Sequence, residues 1–336
     1  MSIKNLVGFE DHKLGYHKSK QNLHFHSGKT QISSLKNQKT FGIGNLEIIS
    51  LKDLRGRISK IEPEPGRINS FEPTPSGTDV GKLLIDPRNS NSTFQVASQF
   101  NLLEMVHPSF NPEKGVGVYW RDNTQGPACC KRTIGASLFR NYYVKMSDGQ
   151  LGQTENNQIN CLDDFMSYIN SDDEIHWDYK NGYVLIDEIN ISSINEKLSE
   201  ISNSEREHLK GLLKVGIHRD VQTNNNQDTL DHNVNLVLCS AFPLGSYNSI
   251  SANKGSLLCQ LILEATYEAT IISAILNRSE MSEKLYLTKV GGGVFGNKHE
   301  WIAHAMQMAR DKYKKYGLEI HLVNWKPMEN EYKVMK

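Results

Sequence analysis

Residues 285–305, LYLTKVGGGVFGNKHEWIAHA, have the spacing in this chain best suited to gripping an anion. Leu285, Tyr286, Leu287, Thr288 and Val290 are a short run that reads as a strand. They lead into Gly291, Gly292 and Gly293, then Val294, Phe295, Gly296 and Asn297, and finally an amphipathic segment with Trp301, Ile302, Ala305 and Met306 on one face. Strand, glycine loop and helix together let main-chain N–H groups close on a phosphate. Glycine allows positive φ and removes the Cβ atoms that would hold an anion away. The same letters also describe a plain tight turn. A glycine triplet matches neither the spaced GxGxxG fingerprint nor the Walker lysine motif, so no standard nucleotide family is indicated.

The elements that would position such a loop must come from 336 residues, enough for one large domain or two ordinary ones. Lys+Arg and Asp+Glu both total 38. That balance argues against a broad electrostatic grip on nucleic acid. The hydrophobic content of 38% suffices for a core in a chain this long. No apolar run approaches the roughly 18–20 residues of a membrane span, and the first residues lack the apolar stretch of a secretory signal. Five cysteines, an odd number without a CxxC pair, fit a reducing cytosol. The expected location is therefore cytoplasmic, although an effector secreted by another route and acting in a host cytosol would look the same. No metal site is indicated: His12, His17, His24 and His26 lack ligand spacing, and His218 beside Asp220 offers only two ligands.

Residues 1–45 are rich in Lys, His, Asn, Gln and Ser and read as a polar, loosely packed N-terminal arm. From residue 46 to about 330 the pattern is that of one catalytic domain. Ser50, with Asp53 three residues on, caps a helix through Leu51, Leu54 and Ile58. Residues 82–85 and 94–100 read as strands, the first followed by Asp86. Residues 194–213 read as a helix, 215–218 as a short strand and 223–231 as a flexible excursion. The continuous apolar run 234–242 suits a central strand covered on both faces. Residues 257–276 form the longest helix candidate, and 319–323 the last strand. Strands alternating with helices give an α/β class: one mixed sheet between two helical layers.

The order of these pieces resembles the macrodomain, the ADP-ribose-binding three-layer α/β/α module. The resemblance covers residues 80–325 and requires insertions at about 102–123 and 145–214. Gly293, Val294, Phe295 and Gly296 fill the positions of that family's second phosphate loop, within the set Gly291 to Asn297. Asp86 is similar to the acidic residue that holds the adenine amino group, and Asn101 to the asparagine that touches the distal ribose. Gln99 and the loop Thr124, Gln125 and Gly126 complete the ligand set that the resemblance implies. The succession VASQFN, DNTQGPA, RNYY, VGIHRD, YEAT and GGGVFGN is similar to a divergent subgroup that includes bacterial effector ADP-ribosyl hydrolases of the MavL type. The chain departs from ordinary macrodomains after Asn101, where Leu102, Leu103 and Glu104 replace the expected glycine run.

Such a family implies cleavage at an anomeric carbon through an oxocarbenium-like transition state, for which a carboxylate must activate water or stabilise charge. The candidates are Asp220, favoured because strand ends border the ligand crevice in open α/β sheets, then Asp122 and Glu268. Glu268 lies one turn from Glu264, a spacing that more often marks a solvated face. The function expected is an ADP-ribosyl hydrolase acting on a modified protein without a cofactor. A reader module that binds ADP-ribose uncleaved and an interaction scaffold are the alternatives.

Overall fold

The computed structural model describes residues 2–333 apart from 27, 29, 172, 173, 246 and 281. Three short helices, α1 (Lys4–Val7), α2 (Asp11–Leu14) and α3 (Tyr16–Gln21), precede a small antiparallel sheet of β1 (Leu23–His26), β2 (Gln31–Ser34) and β3 (Thr40–Gly42). This overturns the loosely packed arm. Ile3, Leu6, Val7 and Ile32 are buried, and the buried Asp11 carboxylate accepts the main-chain N–H groups of Val116 and Gly117 at 2.7 and 2.8 Å. The few apolar residues suffice because they pack on the far-off segment 116–119.

The main body follows as β4 (Asn45–Ser50), α4 (Leu51–Ile58), β5 (Ser70–Pro73), α5 (Val80–Ile85), β6 (Thr93–Ala97), α6 (Gln125–Lys131), α7 (Ile134–Tyr142), α8 (Asp163–Ile169), and the hairpin β7 (Asp178–Lys180) and β8 (Tyr183–Leu185). Then come α9 (Glu188–Glu200), α10 (Asn203–Leu212), β9 (Lys214–Asn224), β10 (Thr229–Cys239), α11 (Ser256–Asn277), β11 (Lys284–Leu287), α12 (His299–Lys312), β12 (Glu319–Leu322) and α13 (Asn330–Lys333). Seven strands form one sheet in the order β4-β9-β10-β6-β11-β12-β5. Strands β10, β6, β11, β12 and β5 pair in parallel, and β4, β9 and β10 pair antiparallel. Helices α11, α12, α4, α9 and α10 pack together on one face and α5, α6 and α7 on the other. The fold is thus the three-layer α/β/α arrangement with a largely parallel centre.

Several local expectations change. The stretch KLLI at 82–85 is helical because the Asp79 side chain caps α5, accepting from Gly81 N at 2.8 Å. The single helix at 194–213 is two, divided at Ser202, which forms a capping box with Glu205. The short strand at 215–218 and the excursion after it are one long hairpin, β9–β10. The Ser50 cap of α4 forms as read, with Asp53 N donating at 3.1 Å. Helix α11, 22 residues, is long and apolar enough to cross a membrane by composition, but it is 94% buried as the core helix of the sheet.

Candidate active site

The crevice exists because two parallel strands part. β6 and β11 pair only at Thr93–Leu285 and Phe94–Tyr286. Beyond that, side chains take over the main-chain groups. Gln95 Oε1 accepts from Thr288 N at 3.1 Å, while Gln125 Oε1 accepts from Ala97 N at 2.9 Å and its Nε2 donates to Gln95 O at 2.8 Å. Gln125 therefore fixes the start of α6 over the carboxyl end of β6, where ligand crevices form in open α/β sheets.

Below the other wall, Tyr267 of α11 is fully buried. Its hydroxyl donates to Thr288 O at 2.6 Å and accepts from Val290 N at 3.0 Å, which fixes the entry to the glycine loop. Within that loop Gly291 sits at φ +80° and Gly296 at φ +71°, the left-handed region that favours glycine. A Cβ on Gly291 would collide with Ala241. Among the described residues the amides of Gly291, Gly293, Val294 and Phe295 donate to no protein acceptor. Gly291, Gly293, Val294 and Phe295 line a cavity of about 210 Å³ opposite Asp122, Thr124, Gln125 and Gly126. The two segments expected to face one another do so, but Gln125 and Gly126 form the first turn of α6 and are not a loop.

Three members of the expected loop set serve to shape it. Asn297 is buried and donates to Phe242 O at 2.8 Å, pinning the loop to the end of β10. Gly296 packs against Gly245, and Gly292 is turned toward His299 and Ile302 of α12.

The carboxylates separate sharply. Asp86 stands at the opposite end of the sheet, beside Lys284 where β11 begins, and hydrogen bonding from Arg88 holds its carboxyl down at about 2. Asp220 is at that end too. It is exposed, at φ +55° in an irregular stretch of the β9–β10 pairing, and its N–H donates to Asn235, whose register partner is Thr93 at the start of β6. The strand-end argument chose the wrong end because β9 runs antiparallel to β10. Glu268 lies in the helical layer. Burial alone would raise its carboxyl, but Arg55 and Lys312 outweigh this and hold it at about 2. Arg55 donates at 2.7 and 2.6 Å, Lys312 at 2.7 Å and Tyr313 at 2.9 Å. Glu264 is bound likewise by Arg206 at 2.8 Å and Lys210 at 3.3 Å. Both are buried anchors, and neither lines the cavity.

Asp122 does line it, at the rim, its Oδ1 accepting from Thr124 N at 2.7 Å in an Asx turn. Asn101 does not. Its Oδ1 accepts from Leu103 N at 3.1 Å and its Nδ2 donates to Gln158 at 2.9 Å, so it braces the turn. That turn carries the residue sequence reading passed over. Leu102 adopts φ +63°, Gln99 N donates to Leu103 O, and the chain reverses so that Glu104 returns to the end of β6. Glu104 is 2% exposed, lines the cavity, and its Oε1 has no partner among the described residues. Burial pushes its carboxyl well above the usual range; Arg140 opposes this and Asp122 adds to it. Gln99, which also lines the cavity, has its buried Oε1 unpartnered as well. Unsatisfied buried polar atoms are costly and cluster where a ligand completes them. The signal available in the sequence was Glu104 itself, in the place of the absent glycine run.

Beyond Thr124, Gln125 and Thr288, which it shares with the cavity, opens a wider groove of about 780 Å³. Trp120 and Trp325 line it, the latter 68% exposed, together with Asp79, Lys131 and Arg132. Asp79 is thus the acidic residue beside this groove, seven positions before the one the sequence suggested.

No family model and no curated protein match the chain. Among solved structures it is similar to poly(ADP-ribose) glycohydrolase from Deinococcus radiodurans in complex with ADP-ribose, at 12% identity over 87% of this chain and 91% of that one, with a TM-score of 0.47. It is also similar to the Thermomonospora curvata poly(ADP-ribose) glycohydrolase, at 10% identity over 98% and 96% of the two chains and a TM-score of 0.45. For that enzyme bound to the inhibitor ADP-HPD the values are 10%, 98%, 96% and 0.44.

Proposed function

We propose that the protein is an ADP-ribosyl hydrolase that releases ADP-ribose from a modified protein. The observation that carries this reading is the pairing of main-chain amides without a protein acceptor at 291 and 293–295 with a buried carboxyl at Glu104, whose Oε1 has no partner, in one cavity. A diphosphate needs N–H donors more than a lysine cluster. The adenosine extends into the wide groove, its base against Trp120 and Trp325 and its amino group toward Asp79. The distal ribose turns inward toward Glu104.

Glu104, whose carboxyl burial pushes well above the usual range, donates a proton to the leaving atom of the acceptor side chain as the bond to the anomeric carbon breaks. Water forms the new bond to that carbon and gives its proton to Asp122, and solvent exchange resets both carboxyls. In this reading the MavL-type resemblance extends to the activity, with Asp122 kept from the sequence candidates, Glu104 added, and Asp220 and Glu268 set aside.

The test is to incubate the full chain with mono-ADP-ribosylated protein, follow free ADP-ribose by mass spectrometry, and titrate ADP-ribose by calorimetry. Release with saturable binding is the expected result. Binding without release on any linkage makes the protein a reader, and neither binding nor release leaves the scaffold.

A further inference from the structure

Several cations in this fold are tied to carboxylates: Arg55, Arg57, Arg67, Arg206, Lys210 and Arg219 all form ion pairs. Lys131 and Arg132, adjacent at the end of α6, do not; among the described residues neither has a carboxylate oxygen within 4.0 Å, although both line the wide groove. Lys131 Nζ donates to the main-chain Asp122 O at 2.8 Å, and Arg132 Nη1 to Asn226 Oδ1 at 2.6 Å. Both are half-buried, and burial pulls both pKa values down, Asp122 opposing this for Lys131 and Asp79 for Arg132 from farther off. Two partly desolvated cations held by neutral oxygens, at the edge of an open groove with an exposed tryptophan, lack an anion.

That anion is not the diphosphate held by the glycine loop. Lys131 follows Gln125 by six residues, roughly 9 Å along a helix axis, on the side away from the cavity. We infer that Lys131 and Arg132 form a second anion subsite, which takes a phosphate carried by the adenosine ribose of a ligand already seated in the cavity. The inference rests on the ADP-ribose reading above. The shared chemistry is a phosphate beyond the nucleoside. It could come from a 2′-phosphate monoester or from the next unit of an ADP-ribose polymer. Arginine presents a planar fork of donors to phosphate oxygens and lysine a point charge.

Calorimetry on the full chain with ADP-ribose, ADP-ribose 2′-phosphate and a two-unit ADP-ribose polymer separates the cases, using wild type, Arg132→Gln, Lys131→Gln and the double variant. Thermal melting of each variant controls for folding. The expected result is about tenfold tighter binding of the 2′-phosphate than of ADP-ribose by wild type, weakened by added salt, and a ratio of the two affinities that falls to about one in Arg132→Gln. A gain with the polymer alone supports the subsite and names the polymer as its source. Equal affinity for all three ligands, or a gain that survives the double variant, overturns the subsite and leaves the ADP-ribose reading standing. Failure of every ligand to bind overturns both.

Discussion

Two glutamates, both almost completely buried, divide the labour of this molecule. Glu268 on α11 meets Arg55, Lys312 and Tyr313, and these partners hold its carboxyl at about 2. Glu104, at the carboxyl end of β6, has a lone oxygen without a partner and a carboxyl pushed well above the usual range. Burial is nearly the same, at 4% and 2% exposure; the difference lies in the company. A satisfied buried charge ties layers together. An unsatisfied one is a cost that a fold keeps only where something else is to bind or react.

The strongest way to break that contrast is Glu104→Gln, which keeps shape and hydrogen-bonding capacity but cannot give up a proton. Release of ADP-ribose is expected to fall by about 10²–10⁴-fold, with ADP-ribose affinity retained. The wild-type rate declines as pH rises through the elevated Glu104 value. The stability contribution has the same sign: a folded pKa above the unfolded one is fully favourable below roughly pH 4.3 and is lost as pH rises through the folded value. Full turnover by the variant would place the proton donor elsewhere.

The converse test is Glu268→Ala. Arg55 keeps Glu207 at 2.7 Å and Lys312 is half exposed, so removing the carboxylate is expected to cost about 1–3 kcal/mol in urea denaturation at pH 7, with activity per folded molecule unchanged. Glu268 has a lowered folded value, so its contribution is present above roughly pH 4.3 and is lost as pH falls through about 2. The wild type should therefore lose stability between those limits more steeply than the variant. Parallel curves would mean that the ion pairs contribute nothing net.

Gly126→Ala joins the two regions' logic in one residue. A Cβ there would collide with Ala97 O and with Glu104 Oε2, so either α6 shifts or Glu104 turns. The expected cost is about 1–3 kcal/mol of stability, together with loss of turnover. Gly293→Ala, whose Cβ meets nothing within 4 Å, is the control and should leave stability alone.

What the sequence disclosed was the part encoded locally. The glycine loop, the Thr124–Gly126 segment that opens α6, the buried run of β10 and the long α11 each carry their signal in adjacent residues, and the first two line one cavity. What it concealed depends on distant partners. KLLI at 82–85 fits strand or helix alike, and only the Asp79 cap settles it, which moves the acidic residue of the groove from Asp86 to Asp79. Glu104 reaches the cavity through a left-handed Leu102 braced by Asn101, Gln158 and buried Arg140, which donates to Leu102 O at 3.0 Å. No periodicity announces such a turn. The N-terminal elements were hidden for the same reason, since three of the donors to Asp11, the amides of Val116 and Gly117 and the Tyr142 hydroxyl, come from more than a hundred residues away.

Asp220 supplies the smallest and most discriminating effect. It lies within β9 on the side of the sheet remote from the cavity, exposed, and its φ of +55° is one that Asp and Asn tolerate better than other side chains. Asp220→Asn should therefore leave melting temperature and turnover alike within the roughly 0.5 kcal/mol of an ordinary surface change. Asp220→Ala should cost about 1 kcal/mol through backbone strain alone, still without slowing release from folded protein. Stability and activity thus part company at this residue in the opposite sense from Glu104. If Asp220→Asn slowed release while melting normally, the active carboxylate would lie at the far end of the sheet, and the contrast between the two glutamates would lose its functional half.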